Sequence, residues 1–372
     1  MQYRKYGTEG PEVSVLGFGA MRLPRDWNNV DMPKAAALIR KAFRGGVNFV
    51  DSHHNYHNGN SEVAIGQALA GWKGHRVYVQ TKTPFYRQEP LDFFKKLIEE
   101  AVAKLGVQRI DYLLFHSMDM KMFKARGKGF FRLTDWAMKR GLVHRRGFSS
   151  HDEPANVKAF IDTGEFSAML LSYNWLNPKM AESLAYGAEK GLGVSVMNPV
   201  GGGSLAATTP KILGMLPGAA SAPEVAVRYV LSTPGVAVAL SGMSTPAQVA
   251  ENLHIAGRRG EFMTARQRKA MLAKTAKVRQ QFMAVCTSCG YCMPCPHGVN
   301  IPQNFLLWNQ ARYLGLARWA RKRYQAMHEN KKGDHSAAAC KQCGACLPKC
   351  PNKIPIMEQL AQTRELLGGR KK

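Results

Sequence analysis

Residues 47–82 read VNFVDSHHNYHNGNSEVAIGQALAGWKGHRVYVQTK. Val47, Phe49 and Val50 make a short apolar run that stops on Asp51-Ser52. A polar loop follows, then a segment of helical period over Ser61–Ala70, then a second apolar run, Val77–Lys82. Strands that are apolar on both faces, joined by a helix, belong to a parallel sheet covered on both sides. Working outward, the same unit recurs. Strands are expected near Leu16–Met21, Val47–Ser52, Val77–Lys82, Tyr112–Ser117, Arg145–Ser149, Ala168–Tyr173, Gly193–Pro199 and Val236–Gly242. Helical patterns follow near Met32–Arg44, Ser61–Ala70, Leu91–Leu105, Thr134–Arg140, Glu153–Asp162, Pro178–Lys190, Pro223–Leu231 and Pro246–Ala256. Several open with Pro in the first turn or with Asp, Ser or Thr just before it, as helix starts do. Eight strand–helix units in about 250 residues is the arithmetic of a (β/α)8 TIM barrel. An open doubly wound sheet would carry a G-x-G-x-x-G turn after its first strand. Gly17-Phe18-Gly19 lacks the third glycine. The run Tyr3–Val15 reads as a hairpin closing the bottom of the barrel.

A barrel does its chemistry where the strands end at their C-terminal face. Four ionisable or phenolic groups fall there: Asp51 and Tyr56 after the second run, Lys82 at the end of the third, His116 at the end of the fourth. Tyr is a poor acid near neutrality, with a free pKa of about 10. A neighbouring ammonium lowers it, and a carboxylate holds that ammonium in place. Asp51, Lys82 and Tyr56 would form such a relay, with His116 polarising a carbonyl oxygen. Taken singly, Asp51 and Lys82 read as a buried ion pair and His116 as a core histidine; four such groups at consecutive strand ends favour a site. His53, His54 and His57 form a His-His-x-x-His pattern. Without a carboxylate or cysteine it makes a poor metal set and is better read as lining the substrate mouth.

All eight cysteines lie beyond residue 285, in two runs. Cys286, Cys289, Cys292 and Cys295-Pro296 are spaced two apart; Cys340, Cys343, Cys346 and Cys350-Pro351 differ only in the last gap. A disulfide framework would be scattered over the chain, and zinc sites separate two Cys pairs by a long loop. Three cysteines at every third position wrap one face of a [4Fe–4S] cube, and the fourth, before Pro, ligates the other cube. The spacing therefore predicts Cys286, Cys289, Cys292 and Cys350 on one cluster and Cys340, Cys343, Cys346 and Cys295 on the other. A helical stretch near Gln303–Met327 separates the runs, so this module resembles all-helical dicluster ferredoxins.

The motifs of the first part resemble the aldo-keto reductase superfamily. They are Gly17-Phe18-Gly19-Ala20-Met21-Arg22, Asn48-Phe49-Val50-Asp51-Ser52 with Tyr56 and Ser61-Glu62, Thr81-Lys82, Leu114-Phe115-His116, Gly147-Phe148-Ser149, Met197-Asn198-Pro199 and Glu251-Asn252. The likeness runs over residues 1–260, nearest to the subfamily with a C-terminal iron–sulfur module. It implies that Asp51, Tyr56, Lys82 and His116 are a catalytic tetrad with Tyr56 as general acid. It implies reversible hydride transfer between NADPH or NADH and an aldehyde, ketone or alcohol. By the same resemblance the cofactor is held by Met21, Arg22, Asp51, Ser149, Ser150, Asn198, Gly201, Gly202, Gly203, Ser241, Gly242, Met243, Ser244, Gln248, Glu251 and Asn252. Two departures stand out. The family's carboxamide-binding Gln aligns with Leu170. The basic residues that grip a 2′-phosphate align with Gly242, Ser244 and Gln248, which leaves NAD against NADP open.

The chain has 372 residues and a formal charge of +26. Its apolar fraction of 45% is that of a globular protein rather than a disordered one. No stretch approaches the ~18–20 apolar residues of a membrane span, and Met1–Lys5 shows no secretory signal, so a cytoplasmic protein is expected. Residues 261–372 hold 20 Lys and Arg against five Asp and Glu. The basic stretches are Arg266–Arg279, Arg318–Arg323 with Lys331-Lys332, and Arg370–Lys372. Such a field attracts an acidic partner, for which a ferredoxin or flavodoxin fits. Nucleic acid is disfavoured, because no binding motif accompanies the charge. The expected organisation is a barrel over 1–262, a helical linker over 263–285 (a helix near Thr264–Ala284) and a module with two [4Fe–4S] clusters over 286–372. Coupling hydride to one-electron clusters needs a splitter such as a flavin, which a barrel can hold without a sequence signature. The alternative is an iron–sulfur electron-transfer or scaffold protein whose barrel does not turn over.

Overall fold

The computed structural model describes residues 1–26, 29–281, 286, 288–313, 315–330 and 333–369. Eight parallel strands close into a barrel. They are β1 (Leu16–Gly19), β2 (Phe49–Asp51), β3 (Tyr78–Thr83), β4 (Ile110–Phe115), β5 (Val143–Ser150), β6 (Ala168–Ser172), β7 (Gly193–Met197) and β8 (Val238–Ser241). Each pairs with its neighbour in sequence, and β8 closes on β1 through Ala239 opposite Leu16 and Ser241 opposite Phe18. The eight expected strands are these eight. In register, Asp51 stands opposite Gln80, and Lys82 opposite Leu114. Consecutive strands thus lift the polar ends to one rim.

The bottom of the barrel is stopped by the N-terminal hairpin, Tyr3–Lys5 paired with Glu12–Ser14. From its loop Tyr6 enters the interior, where it packs with Phe49, Tyr112, Ala168, Ala237 and Val238, the residues that begin the strands. Leu170 belongs to the same interior cluster. Its place beside Ser149 in the sheet register is therefore filled by apolar packing rather than by an amide.

The helices up to residue 260 are α1 (Met32–Arg44), α2 (Asn60–Leu69), α3 (Leu91–Leu105), α4 (Met120–Lys139), α5 (Pro154–Ile161), α6 (Ala181–Glu189), the short α7 (Pro210–Leu213), α8 (Ala222–Leu231) and α9 (Pro246–Ala256). One departs from expectation. The sequence reads as a basic, glycine-containing loop over 118–131 with a helix only from Thr134. The structure has one helix of 20 residues. Asp119 caps it, accepting from the Met122 N–H at 2.8 Å. Its glycines sit where rings come close: a Cβ on Gly129 would meet Phe85 at 3.4 Å. Phe130 is fully buried with ring neighbours Phe115 at 5.1 Å and Phe85 at 5.7 Å. Tertiary packing overrides the local penalty of the glycines. Phe130→Ala is expected to cost about 3–5 kcal/mol in urea unfolding. A loss below about 1 kcal/mol would show that this helix is not held by its aromatic face.

The chain divides into two compact units. The first comprises residues 1–173, 178–199 and 227–264; the second comprises 174–177, 200–226 and 265–372. In the second unit α10 (Ala265–Gln281), α11 (Ile301–Tyr313), α12 (Ala317–His328) and α13 (Ile356–Leu367) are helical, and no strand occurs in its described residues beyond 265. The expected single stretch Gln303–Met327 is two helices, broken around Gly315, whose φ of 75° is left-handed. Val299, Ile301, Phe305, Leu307, Ala320, Tyr324, Ile356 and Leu360 form its core, with Cys292 among them. Residues 282–284 of the expected linker helix, Lys331-Lys332, the tail 370–372 and the side chains of 277–281 lie outside the described residues. No helix of the described residues is long and apolar enough to cross a membrane.

Candidate active site and cysteine clusters

Lys82 ends β3 with its side chain inside the barrel, 1% exposed. Its Nζ donates to Asp51 Oδ2 at 2.6 Å and to the Ser52 carbonyl at 2.6 Å. The other carboxylate oxygen, Asp51 Oδ1, accepts from Gln80 Nε2 at 2.8 Å. Burial pushes the Asp51 carboxyl up and the Lys82 ammonium down, and the ion pair opposes both shifts. With two hydrogen bonds on each member the pair is satisfied where a lone buried charge would not be.

Tyr56 starts a short 3-10 turn after β2, and Lys82 Nζ lies 5.0 Å from its ring centroid. His116 follows β4 and is buried. The His53 ring stands 3.9 Å from that of His116 and 5.1 Å from that of Tyr56. Burial and the Lys82 charge hold both imidazoles well below the ordinary histidine value, so both are neutral near pH 7. The sequence places His53 only among the residues lining the mouth; its packing against His116 depends on the pairing of the barrel strands. Burial holds His57 down to about 4. Among the described residues no three His, Cys, Asp or Glu stand close enough to share one metal ion, which applies to the His-His-x-x-His pattern too.

The residues expected around a nicotinamide fall into several places. Ser149 Oγ accepts from the Ser117 N–H at 2.9 Å and faces the Phe115 carbonyl only at 3.5 Å. Its proton is thus directed at that carbonyl by a long hydrogen bond. Ser150 Oγ donates to the Met118 carbonyl at 2.7 Å and accepts from the Asp152 N–H. Met21 and Arg22 lie in a 3-10 turn after β1. That turn meets the loop after β8, where Ser244 Oγ donates to the Arg22 carbonyl at 2.7 Å. A Cβ on Gly242 would come within 3.0 Å of the Arg22 side chain, so glycine is what lets that arginine lie here. The sequence shows no base in the segment after β8; the fold brings one from β1. Gln248 Oε1 accepts from the Ser244 N–H at 2.7 Å, and Asn252 Nδ2 donates to Ser241 Oγ at 3.3 Å, which brackets the loop to α9. Met243 is buried and Glu251 half-buried beside them. Asn198 donates to Ser172 Oγ at 3.2 Å. Gly201, Gly202 and Gly203 form a 3-10 turn with positive φ at all three, in the second unit.

The aldo/keto reductase family model matches residues 15–220. The chain belongs to the aldo/keto reductase family. A 4Fe-4S dicluster domain model matches residues 285–356. Among curated proteins the reductase is 25% identical over 305 residues to a probable voltage-gated potassium channel subunit beta of Oryza sativa subsp. japonica, covering 68% of this chain and 90% of that one. It is 25% identical over 299 residues to the NADH-specific methylglyoxal reductase of Escherichia coli K12, covering 66% and 91%. Among solved structures, the holo form of an aldo-keto reductase from Bacillus halodurans superposes with a TM-score of 0.64 at 22% identity, covering 74% of this chain and 96% of that one. That likeness shows the reductase barrel fold.

In the second unit the eight cysteines fall into two sets. Cys292 lies within the electrostatic reach of Cys286, Cys289 and Cys350. Cys346 lies within that of Cys340, Cys295 and Cys343. The cluster ligation proposed below uses the same grouping. Burial and the neighbouring thiols push Cys292 up to about 12 and Cys286 up to about 11. Held together as thiolates these groups would repel one another, and bound iron would supply the neutralising positive charge. A small cavity of about 20 Å³ is lined by Cys292, Cys295, Cys340, Cys343 and Cys346. The donor set fits iron–sulfur clusters.

Proposed function

We propose that this chain is an oxidoreductase that carries out reversible, nicotinamide-dependent hydride transfer between a small carbonyl compound and its alcohol. In this reading its C-terminal module, over 286–372 beyond a linker at 263–285, holds two [4Fe–4S] clusters. The observation that carries it is the position of Lys82 Nζ, bonded to Asp51 at 2.6 Å and 5.0 Å from the Tyr56 ring. NADH or NADPH, when bound, supplies the hydride. Tyr56 gives its proton to the oxygen that becomes the alkoxide. The Lys82 ammonium makes that phenol more acidic, and Asp51 keeps the ammonium charged. His116, neutral, donates a hydrogen bond to the same oxygen and fixes the carbonyl for attack. Ser149 offers its hydroxyl to the carboxamide, and Met21, Arg22 and Gly242–Gln248 hold the remainder of the cofactor.

Cys286, Cys289, Cys292 and Cys350 are proposed to hold one cluster and Cys295, Cys340, Cys343 and Cys346 the other. Cys343 is exposed, as are Lys341, Lys349 and Lys353 near it in sequence, and no acid occurs from 335 to 357. A small acidic one-electron carrier fits this surface. The triple change Lys341, Lys349 and Lys353 to Glu is expected to weaken its association at least tenfold and to flatten the salt dependence. Unchanged affinity would place the partner elsewhere.

Anaerobic mixing of the protein with each nicotinamide, followed by EPR and visible absorbance, tests the whole reading. Carbonyl turnover supports the barrel chemistry, and bleaching of the clusters supports coupling between the units. Inertness toward both nicotinamides with every carbonyl tried would leave a scaffold or electron carrier.

A further inference from the structure

We propose that Gln80 and Tyr6 are positioning residues: a hydrogen-bond chain through the barrel interior runs from the N-terminal plug to Asp51 and fixes where the proton of the Lys82–Asp51 pair resides. This rests on Tyr56 being the proton donor. Gln80 precedes Lys82 by two residues on β3, so both side chains face the same side of the sheet. Gln80 is fully buried, and its Nε2 donates to Asp51 Oδ1 at 2.8 Å. Its Oε1 accepts from the Tyr6 hydroxyl at 3.1 Å. A buried amide can turn over, but only one orientation suits both neighbours here. The carbonyl must face the phenol, which donates, and the NH2 must face the carboxylate, which only accepts.

Tyr6 enforces that orientation. Its hydroxyl also lies 3.2 Å from Ser195 Oγ, whose own proton goes to the Met169 carbonyl at 3.1 Å. Tyr6 therefore faces two acceptors and acts as a donor. Burial raises its phenol well above 10, which keeps the proton on it. The ring cannot move aside. Phe49 and Tyr112 each lie 4.9 Å from it, and a Cβ on Gly193 would come within 2.4 Å.

The Gln80 N–H makes Asp51 a weaker base. Without it, the proton in the 2.6 Å Lys82–Asp51 hydrogen bond shifts toward the carboxylate, and the positive charge beside Tyr56 fades. The charged and titratable groups facing the pair are Glu62 from α2, His53 and Tyr56 from the loop after β2, His116 after β4, and Tyr6 below. Glu62 is itself bonded to Thr81 at 2.7 Å, and the two histidines are neutral, so none restores the lost hydrogen bond.

The test reads the ionisation of Tyr56 in the full chain. Ultraviolet difference titration compares each protein with the same protein carrying Tyr56→Phe. Gln80→Leu is expected to raise the Tyr56 midpoint by about one unit, a tenfold change. Tyr6→Phe should raise it by roughly half as much. The alkaline limb of alcohol oxidation should move with it, while KM for the alcohol changes less than about twofold. A merely structural role would lower the folded fraction without moving the midpoint. If Gln80→Leu does not fold, Tyr6→Phe and Gln80→Met carry the measurement. An unmoved midpoint in a folded Gln80 or Tyr6 variant overturns the proposal. A shifted midpoint in a protein that turns over no carbonyl would leave this chain of bonds standing and sink the reaction assigned above.

Discussion

Tyr56→Phe is expected to lower kcat for carbonyl reduction by roughly 10²–10⁴-fold, the range spanned by a positioned general acid. The change removes one hydroxyl and keeps the ring, so the 5.0 Å approach of Lys82 and the 5.1 Å contact with His53 survive. The cofactor residues named above do not include Tyr56, so nicotinamide affinity should stay within about threefold. The loss should appear equally in kcat and kcat/KM, because the hydroxyl acts when charge builds on oxygen and not when substrate binds. Lys82→Met is the companion. It should show the same catalytic loss together with about 3–5 kcal/mol of destabilisation, because Asp51 is left charged in the barrel interior. The two variants therefore separate chemistry from folding. Steady-state reduction of a panel of aldehydes and a urea melt read both. Turnover of Tyr56→Phe within tenfold of the parent would remove this phenol from the proton path.

Cys350→Ala is expected to abolish the cluster assigned to Cys286, Cys289 and Cys292, and to leave that of its sequence neighbours Cys340, Cys343 and Cys346. Iron should fall from about eight to about four atoms per chain, with one of two EPR signals lost on reduction. Cys295→Ala should remove the other signal. The argument is spatial: Cys292 senses Cys350, and Cys346 senses Cys295. Cys292 also belongs to the packed core with Ile301, Phe305 and Leu360, so losing its cluster should loosen the helices. Binding energy of metal at buried thiolates is folding energy. Proteolysis confined to residues 286–369 in the variant would read this. Loss of the same signal in both variants would mean that the two sets are not crossed.

Much of this was legible in the chain itself. Eight mostly apolar runs locate the eight strands, because strands covered on both faces bury side chains on each side. Asp51 and Lys82 could be placed together because both end consecutive runs, and a barrel gathers strand ends on one rim. The proposed crossing of the cysteine sets rests on the Cys-Pro step that ends each run. What escaped depends on contacts between distant residues. Helix α4 looks like a loop locally, and only the aromatic cluster of Phe85, Phe115 and Phe130 makes it a helix. Arg22 shows no sign in sequence of lying against Gly242, 220 positions later. Gln80 passes for an ordinary strand residue, since its two partners come from the hairpin loop and from β2.

The last seam of the cylinder, β8 against β1, has a consequence for synthesis. The edge offered by Leu16–Gly19 waits for Val238–Ser241, more than 200 residues later in the chain. At roughly 5–20 residues per second, a ribosome leaves that edge open for on the order of ten seconds or more. During this time the nascent polypeptide carries an unsealed apolar sheet, a natural client for a chaperone. Any message cut short before codon 238 yields a product that can never complete its ring.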